Sequence, residues 1–131
     1  MRLLLDTHIW LWSLVAPEHL SPRVAEALGD PSNELWLSPI SIWETLVLAG
    51  KKRIALPGDP GEWVRLALSR TPFKEAALNI EVALQSEAML AAAHSDPADG
   101  FIAATAIVYD LTLVTADKCL IESRQWSVLP N

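Results

Sequence analysis

Apolar positions fall into short unbroken runs separated by longer stretches of helical spacing. Arg2–Asp6 is an apolar run ended by a carboxylate and predicts a buried strand. Thr7–Ala16 is apolar nearly all round, so as a helix it must be covered on most sides. At Ser21-Pro22, Ser38-Pro39, Asp59-Pro60 and Asp96-Pro97 a capping residue precedes a proline at the head of a stretch with helical spacing. A side-chain oxygen at the cap and a fixed φ at the next position together open a helix. These pairs predict helices to about Leu28, over Ile40–Ala49, to about Arg70 and over Ala98–Tyr109, with Gly29 and Gly50 as stops for the first two. Asn79 caps a fifth, from Ile80 to about Ala93. Between them Glu34–Ser38, Lys74–Leu78, Leu111–Thr115 and Trp126–Leu129 read as strands, and Asp117–Glu122 as a short helical turn.

Strands that alternate with helices imply a mostly parallel sheet with helices on both faces. The predicted fold class is therefore α/β, a three-layer α/β/α sandwich. Its 131 residues, 51% of them hydrophobic, suit one domain over 1–131. The segment Lys51–Gly61, rich in Gly, Pro and charge, is the candidate for a mobile protrusion. The start of the chain resembles a signal peptide, but Asp6 and His8 interrupt its apolar run. No stretch reaches the roughly 20 apolar residues of a membrane span.

Charge narrows the function. Ten Lys+Arg against 16 Asp+Glu leave a net charge of −6, which argues against a general polyanion binder. A nucleic-acid partner would require something else to neutralise the acidity. The lone Cys119 excludes an intrachain disulfide and fits a reducing cytoplasm. The common nucleotide, zinc and serine-hydrolase motifs are absent.

Four carboxylates stand at telling positions. Asp6 and Asp117 follow predicted strands, where open α/β sheets bind ligands. Glu44 lies at helical spacing from Ile40 and Val47, which with Trp43 make an apolar face expected to turn inward. Asp99 shares a face with Ile102, Ala103 and Ala106. Buried carboxylates that meet repel one another, and a divalent cation relieves the repulsion. An all-oxygen donor set selects Mg2+ (or Mn2+), which binds phosphate oxygens and acidifies water. Phosphodiester hydrolysis is the chemistry implied. Each acid also has a plainer role open to it: Asp6 and Asp117 as helix caps, Asp99 as a first-turn carboxylate, Glu44 as a solvated residue.

The segments carrying these acids have a family likeness. LLLDTHIWLW, SPISIWETLVLAGKKRIALP, HSDPADGFIAATAI and LTLVTAD, in that order and over residues 2 to 129, resemble the PIN-domain ribonucleases of the VapC type, toxins of bacterial toxin–antitoxin pairs. The resemblance implies a PIN-like fold and a metal-dependent endoribonuclease whose products carry a 5′-phosphate and a 3′-hydroxyl. It implies that Asp6, Glu44, Asp99 and Asp117 hold the metal, with Asp96 as a cap and supporting group. Thr115 would orient Asp117, and Thr7 would do the same near Asp6. Where many relatives have Phe-Asp-Arg, this chain has Ala98-Asp99-Gly100 and lacks that arginine. Lys51, Lys52 and Arg53 are candidates to steer RNA. A cognate antitoxin, a homodimer and a cytoplasmic location are further implications. The rival reading is a catalytically silent binding module, with the helix around Trp10, Trp12 and Leu14 as a partner surface or simply as core. A receiver-like domain with Asp6 as phosphoacceptor is disfavoured, because His8 and Thr115 stand where it needs an aspartate and a lysine.

Overall fold

The computed structural model describes residues 1–91 and 96–131. The strands are β1 (Arg2–Leu5), β2 (Glu34–Leu37), β3 (Lys74–Glu75), β4 (Thr112–Thr115) and β5 (Val128–Pro130). The helices are α1 (Thr7–Val15), α2 (Pro22–Gly29), α3 (Pro39–Gly50), α4 (Pro60–Arg70), α5 (Ile80–Ala91), α6 (Pro97–Val108) and α7 (Lys118–Glu122), with a 3-10 turn at Pro17–His19. Every strand pairing is parallel, in the order β3-β2-β1-β4-β5.

The order follows from how the strands bury themselves. Side chains alternate across a strand, so Leu3, Leu5 and Val114 enter one core cluster while Leu4 and Leu113 enter the other. The first cluster is closed by Ile9, Trp10 and Leu11 of α1, Val24 of α2, and Val64 and Ala67 of α4. The second is closed by Val82 and Met89 of α5, Ile102, Ala103 and Ala106 of α6, and Leu120 of α7. Sheet faces covered by helices on both sides make the expected three layers.

The chain steps outward from β1 to β2 to β3, then returns across the sheet to β4 on the other side of β1. The order therefore reverses between β1 and β4. Register there pairs Leu5 with Val114, and the Asp6 N–H donates to the Val114 carbonyl at 2.9 Å. The two strands thus end side by side, at the crevice where such sheets take ligands.

The four pairs singled out in the sequence open helices, with Ser21, Ser38, Asp59 and Asp96 accepting from backbone N–H groups two or three residues on. Asn79 caps α5 in the same way. The predicted end of that helix near Ala93, and His94, lie outside the described residues. The predicted stops behave differently. Gly29 and Gly50 are the last residues of α2 and α3. The left-handed position after α3 is Lys52, φ 58°, with the Arg53 N–H donating to the Leu48 carbonyl. Asp110, φ 53°, ends α6 in the same pattern. β3 is shorter than predicted, and β5 begins two residues later than predicted, at Val128. The candidate protrusion is anchored in its middle, because Ile54 packs on the first cluster.

Candidate functional site

Asp6 is held by local chemistry. It is the N-cap of α1, with the Thr7 N–H donating to Oδ1 at 2.8 Å. The Thr115 hydroxyl donates to Oδ2 at 2.6 Å. Both oxygens are thereby oriented, and each keeps a lone pair for a cation. The side chain is buried, and this pushes its proton affinity up against the lowering effect of those hydrogen bonds and of His8.

Glu44 comes from α3, half-buried. The Thr7 hydroxyl donates to its Oε1 at 2.5 Å and lies 3.0 Å from Ser41 Oγ. Burial raises the Glu44 carboxyl, opposed by the Thr7 hydrogen bond and reinforced by Asp6 and Asp96. The expected inward face of α3 needs correction. Trp43 is 56% exposed, whereas Ser41 and Thr45 are fully buried. Small hydroxyl residues let α3 lie close to its neighbours, and Glu44, three residues from Ser41 and one from Thr45, borders that face. Glu44 does turn inward, but beside hydroxyls and not along an apolar stripe.

Asp99 sits half-buried in the first turn of α6, and its carboxyl is pushed up to about 7. Burial is the largest cause, followed by the charges of Asp6, Asp96, Asp117 and Glu44. Asp117 caps α7, accepting from the Cys119 and Leu120 N–H groups at 2.9 and 3.1 Å. Capping and ion binding are compatible for both Asp6 and Asp117, since a carboxylate offers more acceptor sites than a cap consumes.

Five carboxylates, Asp6, Glu44, Asp96, Asp99 and Asp117, line one cavity of about 360 Å³ together with His8, Trp12 and Ala116. Glu44, Asp96 and Asp99 each offer an oxygen such that all three lie within 4.8 Å of one another. Asp96, expected as a cap and supporting group, stands nearer the other acids than a supporting role requires. Its Oδ1 accepts from the Ala98 N–H, and the side chain also joins the oxygen group. Its position three residues before the first-turn acid Asp99 was the available signal.

The two threonines keep their expected neighbours through backbone N–H groups, and their hydroxyls donate to other acids. The Thr115 hydroxyl reaches the Asp6 carboxylate, and accepts from the Asp117 backbone N–H at 3.1 Å. The Thr7 hydroxyl serves Glu44, and only its N–H serves Asp6. Lys51, Lys52 and Arg53 are exposed and do not line the cavity. Lys51 lies seven residues, roughly 10 Å along α3, from Glu44. Trp10 is fully buried, so it is core and not a partner surface.

The donor set suits a hard divalent ion. The groups that could ligate it are carboxylates, and burial together with the neighbouring acids raises the proton affinity of Asp99. Soft metals would require thiolate or several imidazoles.

The family model of the PIN domain matches residues 3–122. The chain is 32% identical over 117 residues to Ribonuclease VapC22 of Mycobacterium tuberculosis, covering 89% of this chain and 88% of that one. Its fold is similar to that of VapBC2 from Rickettsia felis bound to a DNA fragment from its promoter, with TM-score 0.72, 18% identity, and 100% and 99% of the two chains covered. It is also similar to a toxin-antitoxin complex from Klebsiella pneumoniae, with TM-score 0.66, 25% identity, and 98% and 97% covered. The chain belongs to the PIN domain family, and within it is similar to a VapC ribonuclease.

Proposed function

We propose that this chain is a ribonuclease that hydrolyses RNA phosphodiester bonds with Mg2+ or Mn2+, and that it is the toxin of a toxin–antitoxin pair, acting in the cytoplasm as one nuclease unit over 1–131. The observation that carries the reading is the convergence of Asp6, Glu44, Asp96, Asp99 and Asp117 on one cavity at the point where the strand order reverses.

Asp6, Glu44, Asp99 and Asp117 would hold the ion, with Asp96 able to contribute a further oxygen. When bound, a divalent cation neutralises phosphate charge and makes water a better nucleophile at neutral pH. The rest falls to the protein. Asp6, fixed by the Thr7 N–H and the Thr115 hydroxyl, presents its charge in one orientation. Thr7, whose hydroxyl also lies against Ser41 Oγ, holds Glu44 in place across the crevice. Burial of the acids strengthens every charge interaction there. Lys51, Lys52 and Arg53 would hold the RNA backbone away from the cavity, compensating for the negative charge of the chain.

The partners follow the relatives. VapC22 is named a ribonuclease, and the solved neighbours are toxin-antitoxin complexes. An antitoxin fits the apolar groove lined by Trp43, Leu46 and Leu68, which a chain acting alone would leave in water. That groove is also what favours the silent binding module as a second reading. The family likeness suggests a homodimer. Among the described residues no helix is long and apolar enough to cross a membrane.

The test is cleavage of RNA by the purified protein with Mg2+ or Mn2+, with and without excess chelator, and by Asp6→Asn. The expected result is cleavage that the chelator and the substitution both abolish. Cleavage undiminished by either contradicts the proposal. No metal-dependent cleavage over many RNAs favours the binding module.

A further inference from the structure

Three rings run outward from the acidic cavity. His8 and Trp12 stand one turn apart on the same face of α1, with centroids 5.8 Å apart. The ring of His19 lies 5.1 Å beyond Trp12, tilted by 34°. His8 and Trp12 line the cavity beside Asp6, Glu44, Asp99 and Asp117. His8 and His19 are exposed and Trp12 half-buried. Asn131 ties down the backbone that carries the outer ring: its Nδ2 donates to the His19 carbonyl at 3.0 Å, and its Oδ1 accepts from the Ser21 N–H at 2.7 Å.

We propose that His8, Trp12 and His19 form a base-stacking track that seats unpaired bases of single-stranded RNA next to the scissile phosphate. The inference rests on the nuclease reading of the cavity and deepens it by naming how the strand is held there. A pocket of carboxylates repels the sugar-phosphate chain on either side of the ion. Ring faces offer a stacking contact at that place, and every base has a π-face to set on them. A helix pair one turn apart followed by a third ring on an anchored backbone gives a path and not a single patch, so bases on one side of the cut are held in succession. Paired bases present no such face, and the track therefore selects single strands.

The test compares wild type with Trp12→Leu, Trp12→Phe and His8→Ala. One readout is KM and kcat on a single-stranded RNA. The other is anisotropy of the labelled strand with Ca2+ in place of Mg2+. Each variant is measured on the intact strand and on strands with one abasic position stepped along the sequence. Trp12→Leu should raise KM and weaken binding about tenfold, with kcat changed far less. Trp12→Phe should stay within about threefold, and His8→Ala, at an exposed position, should lose a few-fold. One abasic position should cost wild type the same tenfold and cost Trp12→Leu nothing more. A Phe variant as impaired as the Leu variant, losses that add on every abasic strand, or equal affinity for duplex and single strand would overturn the track. Cleavage with no dependence on Trp12 sinks the track and leaves the nuclease standing. Trp12-dependent binding without cleavage does the reverse.

Discussion

Replacing Asp99 with asparagine should stabilise the ion-stripped protein at neutral pH. Burial and four neighbouring acids raise the Asp99 carboxyl from 3.8 to about 7. A group with a raised folded value binds more protons in the folded than in the unfolded chain between those two values. Its contribution is therefore fully present below 3.8 and is lost as the pH rises through about 7. Fully buried, that difference would correspond to about 4 kcal/mol at 1.36 kcal/mol per tenfold. Asp99 is only half-buried, and water screens its neighbours, so about 2 kcal/mol is expected. For a chain of this size that is a rise in Tm of about 7 °C. The assay is urea and thermal unfolding in chelator between pH 4 and 8. Asp99→Asn should exceed wild type by that amount at pH 7.5, and the gap should nearly close at pH 4. Saturating Mg2+ should stabilise wild type more than the variant, because the ion relieves the same repulsion. Equal stability of the two proteins across the pH range, or a variant less stable at pH 7.5, would refute the claim that the acids repel one another.

Other substitutions separate positioning from charge. Thr115→Val removes the hydroxyl that orients Asp6, and should lower ion affinity or activity about 10- to 100-fold, read from Mg2+ titration of cleavage. Replacing Lys51, Lys52 and Arg53 together by glutamine should weaken RNA binding at low salt. The slope of log affinity against log salt should become shallower by about 0.7 for each phosphate that the variant no longer neutralises; an unchanged slope makes these residues a solvated helix end. Trp10 is fully buried and packs edge-on to Trp63 at 6.2 Å. Trp10→Ala should cost about 3–5 kcal/mol in urea unfolding, and a cost under about 1 kcal/mol would show that the first core cluster is not what holds α1 to the sheet.

Much of the fold can be read locally. A cap followed by proline is chemistry confined to two or three neighbouring residues; it opens helices at Ser21, Ser38, Asp59 and Asp96, while Asp30-Pro31 heads only a turn. The central strands β1 and β4 announce themselves by buried apolar runs, because the middle of a parallel sheet is covered on both faces, whereas the edge strand β3, Lys74–Glu75, is exposed and charged. Asp6 and Asp117 are legible for the same reason, since each follows such a run. What is not legible depends on partners distant in the chain. α3 is apolar on several sides, so its periodicity does not say which face packs; the answer is Ser41 and Thr45, chosen by close approach to other helices. The Thr115 hydroxyl has Asp117 two residues away and Asp6 109 residues away, and it donates to the distant one. Asp96 has a complete local explanation as a cap, which hides its place in the oxygen group. The αL residues Lys52 and Asp110 are missed because glycine is the usual marker and neither is glycine.

Everything proposed for the cavity requires that its carboxylates gather around a cation. Crystals grown with Mn2+ and measured for anomalous scattering answer this directly. The expected result is a strong peak bound by oxygens of Asp6 and at least two of Glu44, Asp99 and Asp117. Crystals at saturating Mn2+ with no peak in the crevice between β1 and β4, or with the acids turned apart, would contradict it.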